Sequence, residues 1–341
     1  MIPTTQKEIH LANRPKGMPT NDDFEFVEQD IPSLEENQVL LRTLYLSVDP
    51  YMRGRMQDSK SYIAPFQLHK AIAGGGIAEV VESRSDKFKQ GDIVTGNLKW
   101  AEYSRANDQK IRKIDPSAAP ATTHLGILGM TGLTAYFGLL EIGKPQPGET
   151  VVVSGAAGAV GSAVGQIAKI QGCRVVGIAG SDEKIELLKT ELGFDEAVNY
   201  KKDSFAEDLA KAVPDGVDVY FDNVGGPVTD EVFKLLNTNA RIPLCGAISS
   251  YNKEEDLGPR LQSYMIKTSA LMQGFTVGNY AAQFEAGSKQ LGAWLQEGKL
   301  KYEETIVEGF DNTPDAFLSL FKGTNVGKLL VKVADPEYAK F

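Results

Sequence analysis

The segment Val151-Val152-Val153-Ser154-Gly155-Ala156-Ala157-Gly158-Ala159-Val160-Gly161 sets glycines at G-x-x-G-x-x-G spacing directly after an apolar run. That pattern predicts a buried strand, a tight turn and a helix start. Small side chains let the backbone come close to a pyrophosphate, and the helix N-terminus adds N–H groups and positive dipole. Gly155, Ala157, Gly158, Ala159, Val160 and Gly161 are the residues such a turn would present to a dinucleotide. Aligned on Gly158 and Gly161, the usual G-x-G-x-x-G fingerprint would have its first glycine where Ala156 stands. A closely packed strand–helix turn with no ligand is the alternative.

The next strand ends at Ala179-Gly180-Ser181. An NAD site usually carries an acidic side chain there, about 20 residues after the glycines, for the ribose 2′-hydroxyl. None stands at 179–181, although Asp182 follows immediately, and Lys184 lies about one helical turn further on. A small strand end, Gly180 and Ser181, with a cation nearby suits the 2′-phosphate of NADP. The alternative is that Lys184 is a solvated helix residue.

Metal chemistry finds little material. Cys173 and Cys245 are the only cysteines, so a four-cysteine zinc site is excluded and a disulfide framework cannot be built. A site of two cysteines and one histidine is formally left, but His10, His69 and His124 lie in dissimilar contexts without ligand spacing. Cys173 reads as the passage from a helix into a buried strand and Cys245 as the interior of another strand. Both are expected to be small buried apolar side chains, and no metal is expected.

These residues need a scaffold, and 341 residues give roughly two domains of about 150 residues. At 42% hydrophobic and 24% charged, the chain can build ordinary soluble cores and is not disordered. A net charge of −9 without a basic block argues against a nucleic-acid or anionic-membrane surface. The stretch from Val151 to Gly165 is interrupted by four glycines and two serines and does not read as a membrane span. Met1 to Thr20 has no continuous apolar core of a signal peptide, so the cytosol is the expected compartment.

The first third reads as short strands with Gly and Pro turns: 39–46, 77–82, 91–94 and 100–103. Residues 133–142 carry apolar side chains at helical spacing and stop at Gly143. From Glu149 the order becomes strand 151–153, a helix to Ile170, strand 175–178, helix 183–192 with Ile185, Leu188 and Leu192 on one face, and a helix lined by Phe205, Leu209 and Val213. Strands 217–221 and 240–244 follow. Alternating strands and helices predict an α/β chain with a doubly wound parallel sheet. Residues 327–333 return to strand character, so the tail is expected to complete the N-terminal domain. The expected domains are 1–125 completed by 304–341, and 126–303.

Ordered motifs along nearly the whole chain resemble one family. They are Ala12-Asn13-Arg14-Pro15, Leu46-Ser47-Val48-Asp49-Pro50-Tyr51-Met52-Arg53-Gly54-Arg55-Met56, Leu128-Gly129-Met130-Thr131-Gly132-Leu133-Thr134-Ala135-Tyr136, the glycine turn, and Gly180-Ser181-Asp182-Glu183-Lys184. Asn199-Tyr200-Lys201, Phe221-Asp222-Asn223-Val224-Gly225-Gly226, Cys245-Gly246-Ala247-Ile248-Ser249-Ser250-Tyr251-Asn252, Gln273-Gly274-Phe275 and Gly323-Thr324-Asn325-Val326-Gly327-Lys328 complete the set. The chain is similar to the zinc-independent medium-chain dehydrogenases/reductases, in the leukotriene B4 dehydrogenase, prostaglandin reductase and alkenal reductase branch, and especially its bacterial curcumin-reductase-like members. Thr131 departs from the pattern, since relatives often have proline there.

The resemblance implies a GroES-like β-rich domain, a Rossmann domain, NADP(H) as cofactor and a homodimer. It places Lys184 and Tyr200 at the 2′-phosphate, Asn223 near the ribose or pyrophosphate, and Cys245, Gly246, Ala247 and Ile248 along the cofactor. Phe275 and Val277 would offer backbone groups to the carboxamide, Met130 and Thr134 would line the nicotinamide pocket, and Asn325 would reach in from the returning tail. The implied chemistry is hydride transfer to the β-carbon of an enone or enal, with negative charge developing on the carbonyl oxygen. That charge needs hydrogen-bond donors in dry surroundings, and a tyrosine is a neutral donor on a rigid apolar body. Tyr251, just past a strand end, and Tyr51, in Asp49-Pro50-Tyr51, are the expected donors. Arg53 and Arg55 are expected to pair with carboxylates. A quinone reductase on the same fold and an NADPH-binding protein without turnover are the rival readings.

Overall fold

The computed structural model describes residues 2–31 and 33–339. The chain divides into two units, Gly126–Glu304 with Val326–Lys328, and Met1–Leu125 with Thr305–Asn325 and Leu329–Phe341.

The first of these is α/β. Its six strands are parallel, and across the sheet they run Glu196–Asn199, Arg174–Ala179, Thr150–Ser154, Val217–Phe221, Leu236–Leu244 and Leu271–Gly274. In chain order that is third, second, first, fourth, fifth, sixth, the Rossmann arrangement. The central strands are apolar along their length because helices cover both faces. Val151 and Val153 point into a core with Ala163, Val164 and Ile167 of the Ala159–Ile170 helix and with Phe137 and Leu291. Val152 and Tyr220 point the other way, towards Leu209, Val232 and Phe233.

The stretch expected as one helix to Gly143 is α-helical over Met130–Phe137 and continues as a π-helical turn over Gly138–Gly143. Gly138 is required there: a Cβ on it would stand 2.3 Å from the Phe275 ring. Cys245 lies just beyond its strand, which ends at Leu244, rather than inside it. The two edge strands, Glu196–Asn199 and Leu271–Gly274, are the ones that sequence patterning did not reveal.

The other unit is β-rich and antiparallel. Gln38–Ser47 pairs with Ala73–Ser83 on one side and with the tail strand Lys328–Lys332 on the other, Leu330 facing Ser47. The tail strand thus lies inside the sheet, between Gln38–Ser47 and the edge strand Glu304–Glu308. Phe24, Trp100 and Phe317 meet at ring separations of 6.1–6.2 Å and join distant parts of the sequence in one core. Glu79, fully buried, accepts the backbone N–H groups of Glu337, Tyr338 and Ala339 and so ties down the chain end. The strand expected at 100–103 begins only at Tyr103, because the Ala101 N–H turns back to the Lys99 carbonyl.

Candidate functional site

The strands Thr150–Ser154 and Val217–Phe221 lie side by side, and the chain leaves them towards opposite edges of the sheet. Ligands of doubly wound folds bind outside the carboxyl ends of strands at such a point. Ser154 leads into Gly155, whose φ of +61° favours glycine. Gly158 is the N-cap of the Ala159–Ile170 helix and has no side chain to cap it. The first-turn N–H groups of Ala159, Val160 and Gly161 have no intrahelical acceptor, as at any helix start, and they remain available to an anion. A Cβ on Gly161 would fall 2.3 Å from the Gly155 carbonyl oxygen, so the helix can approach the turn only with glycine there. The Ala157 carbonyl accepts the Gly327 N–H at 2.8 Å.

Asp222 holds this point together. It is buried, and its Oδ1 accepts from the Ser154 hydroxyl, the Tyr220 hydroxyl and the N–H groups of Val224 and Gly225, at 2.9–3.0 Å. Its Oδ2 accepts from Thr229 at 2.7 Å. Its carbonyl accepts the N–H groups of Cys245 and Gly246. With its hydrogen given to Asp222, the Ser154 oxygen accepts the Asn223 N–H at 2.9 Å, while Asn223 Nδ2 donates to the Ser154 carbonyl at 2.8 Å. One residue therefore orients the glycine turn and the Asn223 loop through its carboxylate, and the 245–246 stretch through its carbonyl. Sequence reasoning quoted Asp222 in a motif and gave it no role. The available signal was an acidic residue at the end of an otherwise buried apolar strand.

At the neighbouring strand end, Ser181 caps the helix Asp182–Thr190 by accepting the Lys184 N–H at 3.3 Å. Burial, followed by the positive charge of Lys201, holds the Lys184 ammonium below its ordinary pKa. The Tyr200 ring packs over Gly180. Lys201 stands at the same place and was not singled out from sequence.

Tyr251 lies beyond the Leu236–Leu244 strand. Its hydroxyl oxygen accepts the Ala247 N–H at 3.2 Å, so its own hydrogen is left to donate. Burial, above all, raises its pKa. Ile248 N–H reaches the Asn223 carbonyl at 3.5 Å, which ties the 245–248 stretch to the Asn223 loop. Phe275 follows the edge strand and meets Phe221 edge-on at 6.2 Å, and Val277 opens the short helix after it. Met130 opens the Met130–Phe137 helix and is exposed, Thr131 is buried, and the Thr134 hydroxyl donates to the Met130 carbonyl at 2.7 Å.

In the β-rich unit Tyr51 precedes the short helix Met52–Arg55. Burial, together with the charge of Asp49, pushes its phenol up to about 12. Arg55 donates to the carbonyls of Ala64 and Ala73 and lies 3.9 Å from the Phe66 ring centroid. Arg53 donates to the Gly17 carbonyl at 2.8 Å. Beside these carbonyl bonds, the Asp23 carboxylate acts on Arg53, as expected of a carboxylate partner. Asn325 lines a cavity of about 360 Å³ with Thr305, Asn312, Asp315 and Thr324.

The donor set does not fit a zinc ion. Burial pushes the thiols of Cys173 and Cys245 up to about 11 and about 12, away from the thiolate form a metal needs. Cys173 Sγ donates to the Gln146 carbonyl, and His10 and His69 are engaged by Glu8 and Glu25. Among the described residues no group of three His, Cys, Asp or Glu side chains could hold a metal ion. Nor is any described helix long and apolar enough to cross a membrane. The dinucleotide fares differently: an uncapped helix start behind a glycine turn, with an ammonium at the next strand end, fits NADP(H).

Residues 7–114 match the family described as "N-terminal domain of oxidoreductase", and residues 159–292 match the one described as "Zinc-binding dehydrogenase". The chain is 64% identical to a putative NADP-dependent oxidoreductase, YfmJ, of Bacillus subtilis, over 97% of this chain and 99% of that one. It is 45% identical to the NADPH-dependent curcumin reductase of Escherichia coli, over 95% and 96% of the two chains. The structure of CurA from Vibrio vulnificus in complex with NADPH superposes with a TM-score of 0.92 at 44% identity, covering 97% of this chain and all of that one. With such identity over nearly the full length of its relatives, the chain belongs to the medium-chain dehydrogenases/reductases, in the branch of these NADP-dependent reductases.

Proposed function

We propose that the protein is an NADPH-dependent reductase of activated carbon–carbon double bonds, acting on α,β-unsaturated ketones and aldehydes. When bound, NADPH supplies a hydride, which the β-carbon of the substrate receives. The glycine turn and the first N–H groups of the Ala159–Ile170 helix hold the pyrophosphate, and Lys184 and Tyr200 hold the 2′-phosphate. Asn223, the 245–248 stretch, Phe275, Val277, Met130, Thr134 and Asn325 position the rest of the cofactor. Tyr251 donates its hydrogen to the carbonyl oxygen as that oxygen gains enolate charge, a task shared with the ribose 2′-hydroxyl. Tyr51, on the family resemblance, is a second donor to the substrate.

The observation that carries this reading is the state of Tyr251. A phenol is protonated at neutral pH, burial shifts it further in that direction, and the hydrogen bond from Ala247 occupies its oxygen and leaves its hydrogen free to donate. A neutral donor held in place before charge develops is what enolate formation requires.

The wholly exposed edge strand Leu271–Gly274, with exposed Ile266 in the helix that leads into it, supports a homodimer, since an unpaired apolar edge invites a second copy. The cytosol is the proposed compartment. NADPH consumption measured with an enone, with a quinone and without acceptor tests the activity. Enone-dependent consumption is expected. Preference for the quinone would favour a quinone reductase, and consumption with neither would favour a binding protein.

A further inference from the structure

We infer that Lys201 is a second cation for the cofactor's 2′-phosphate, acting beside Lys184, and that Lys202 and Asn199 hold Asp182 away from the ribose, so that this strand end selects NADPH over NADH. The inference rests on the NADPH reading above and adds the residues that set its selectivity.

Gly180 has no side chain, and its neighbours occupy the space. A Cβ there would meet Tyr200 Cε1 at 2.9 Å, the Tyr200 hydroxyl at 3.1 Å and Lys201 Cε at 3.2 Å. Lys201 therefore arches over the strand end with its ammonium 6.0 Å from the Tyr200 ring centroid. It makes no ion pair among the described residues. Its charge is felt at Lys184, whose ammonium it destabilises. Two like charges held close repel each other, and a dianion placed between them relieves that repulsion.

Asp182 is the first acidic side chain after the position where NAD sites bind the 2′-hydroxyl, and Glu183 beside it is engaged by Ser181. Its Oδ1 accepts from Asn199 Nδ2 at 3.0 Å and from Lys202 Nζ at 2.8 Å. Those two bonds hold its pKa below the ordinary carboxylate value. The adjacent lysines thus divide the work: Lys202 neutralises the carboxylate that would favour NADH, and Lys201 is left for the phosphate.

Calorimetric dissociation constants for NADPH and NADH test this without relying on turnover. Lys201→Met is expected to weaken NADPH about fivefold or more and NADH by less than about twofold. Lys202→Met, which releases Asp182, is expected to narrow the gap from both sides, weakening NADPH and tightening NADH. Lys184→Ala is the control for the underlying site. If Lys184→Ala loses the preference while Lys201→Met keeps it within about twofold, the role of Lys201 is overturned and the NADPH site stands. An unchanged ratio in Lys202→Met overturns the role of Asp182. Equal weakening of both cofactors by Lys201→Met also overturns the inference, because it signals general damage. If the unmodified protein does not prefer NADPH, the NADPH reading itself fails.

Discussion

A phenol differs from phenylalanine by one oxygen, and for Tyr251 that oxygen does two things. It accepts the Ala247 N–H and leaves a hydrogen for the substrate. Tyr251→Phe keeps the ring and removes both. Loss of the Ala247 bond leaves a half-buried N–H without its partner and costs about 1–2 kcal/mol of stability. Loss of the donor removes stabilisation that matters mainly in the transition state, where one oxyanion donor is worth about a hundred- to a thousandfold. With the ribose hydroxyl sharing the load, a fall of about a hundredfold or somewhat less is expected in kcat and kcat/KM together, with the NADPH dissociation constant unchanged. A fall in kcat of less than about threefold would reduce Tyr251 to a wall of the pocket. Residues of this kind were legible from sequence only through the family motifs. One tyrosine among 12 has no distinguishing spacing. Asp222 stayed hidden because its importance lies in five donors contributed by four separate segments.

Among the elements, the glycine turn and its helix form the most demanding contact. Gly161→Ala places a methyl group 2.3 Å from the Gly155 carbonyl and 2.8 Å from Ala156 Cα, both backbone atoms that cannot swing aside. The helix must move, at a cost of about 1–3 kcal/mol, and its N–H groups move with it. A melting temperature lowered by about 2–10 °C and weaker NADPH binding are expected. An unchanged melting temperature would show that the packing at this turn is looser than described. The elements most legible in the sequence were those whose periodicity reports burial. Ile185 and Leu188 line the inner side of the 182–190 helix, and Val151 to Val153 form a central strand. The Leu271–Gly274 strand was illegible because it is an edge with every residue exposed, so neither alternation nor a buried apolar run marks it. The π-helical turn was equally silent, since Leu139 and Ile142 are buried as they would be in an α-helix. At Trp100 the reading failed for another reason: a buried aromatic resembles a strand residue, but here it fills a core while the backbone turns.

On the scale of the whole molecule, two consequences stand apart from the chemistry. The helix Gln262–Thr268 buries none of its residues, and Ile266 is 78% exposed beside the unpaired edge strand. Leu271→Glu combined with Ile266→Glu replaces exposed apolar groups and so spares the protomer's core. Sedimentation is expected to show a dimer for the unmodified protein and a monomer for the double variant. A monomeric unmodified protein at micromolar concentration would contradict the dimer. The lack of a fitting ligand set implies that exhaustive chelation leaves activity unchanged. Stoichiometric zinc, with activity lost on its removal, would contradict that.

The claim on which the rest depends is that the hydride goes to the β-carbon and leaves the carbonyl intact. The direct measurement uses NADPH deuterated at the transferring position of the nicotinamide, one enone, and product analysis by NMR and mass spectrometry. The expected product is the saturated ketone with one deuterium at the β-carbon and a solvent-derived proton at the α-carbon, because Tyr251 serves the oxygen only as a donor to developing negative charge. Deuterium at the carbonyl carbon, in an unsaturated alcohol, would contradict the account.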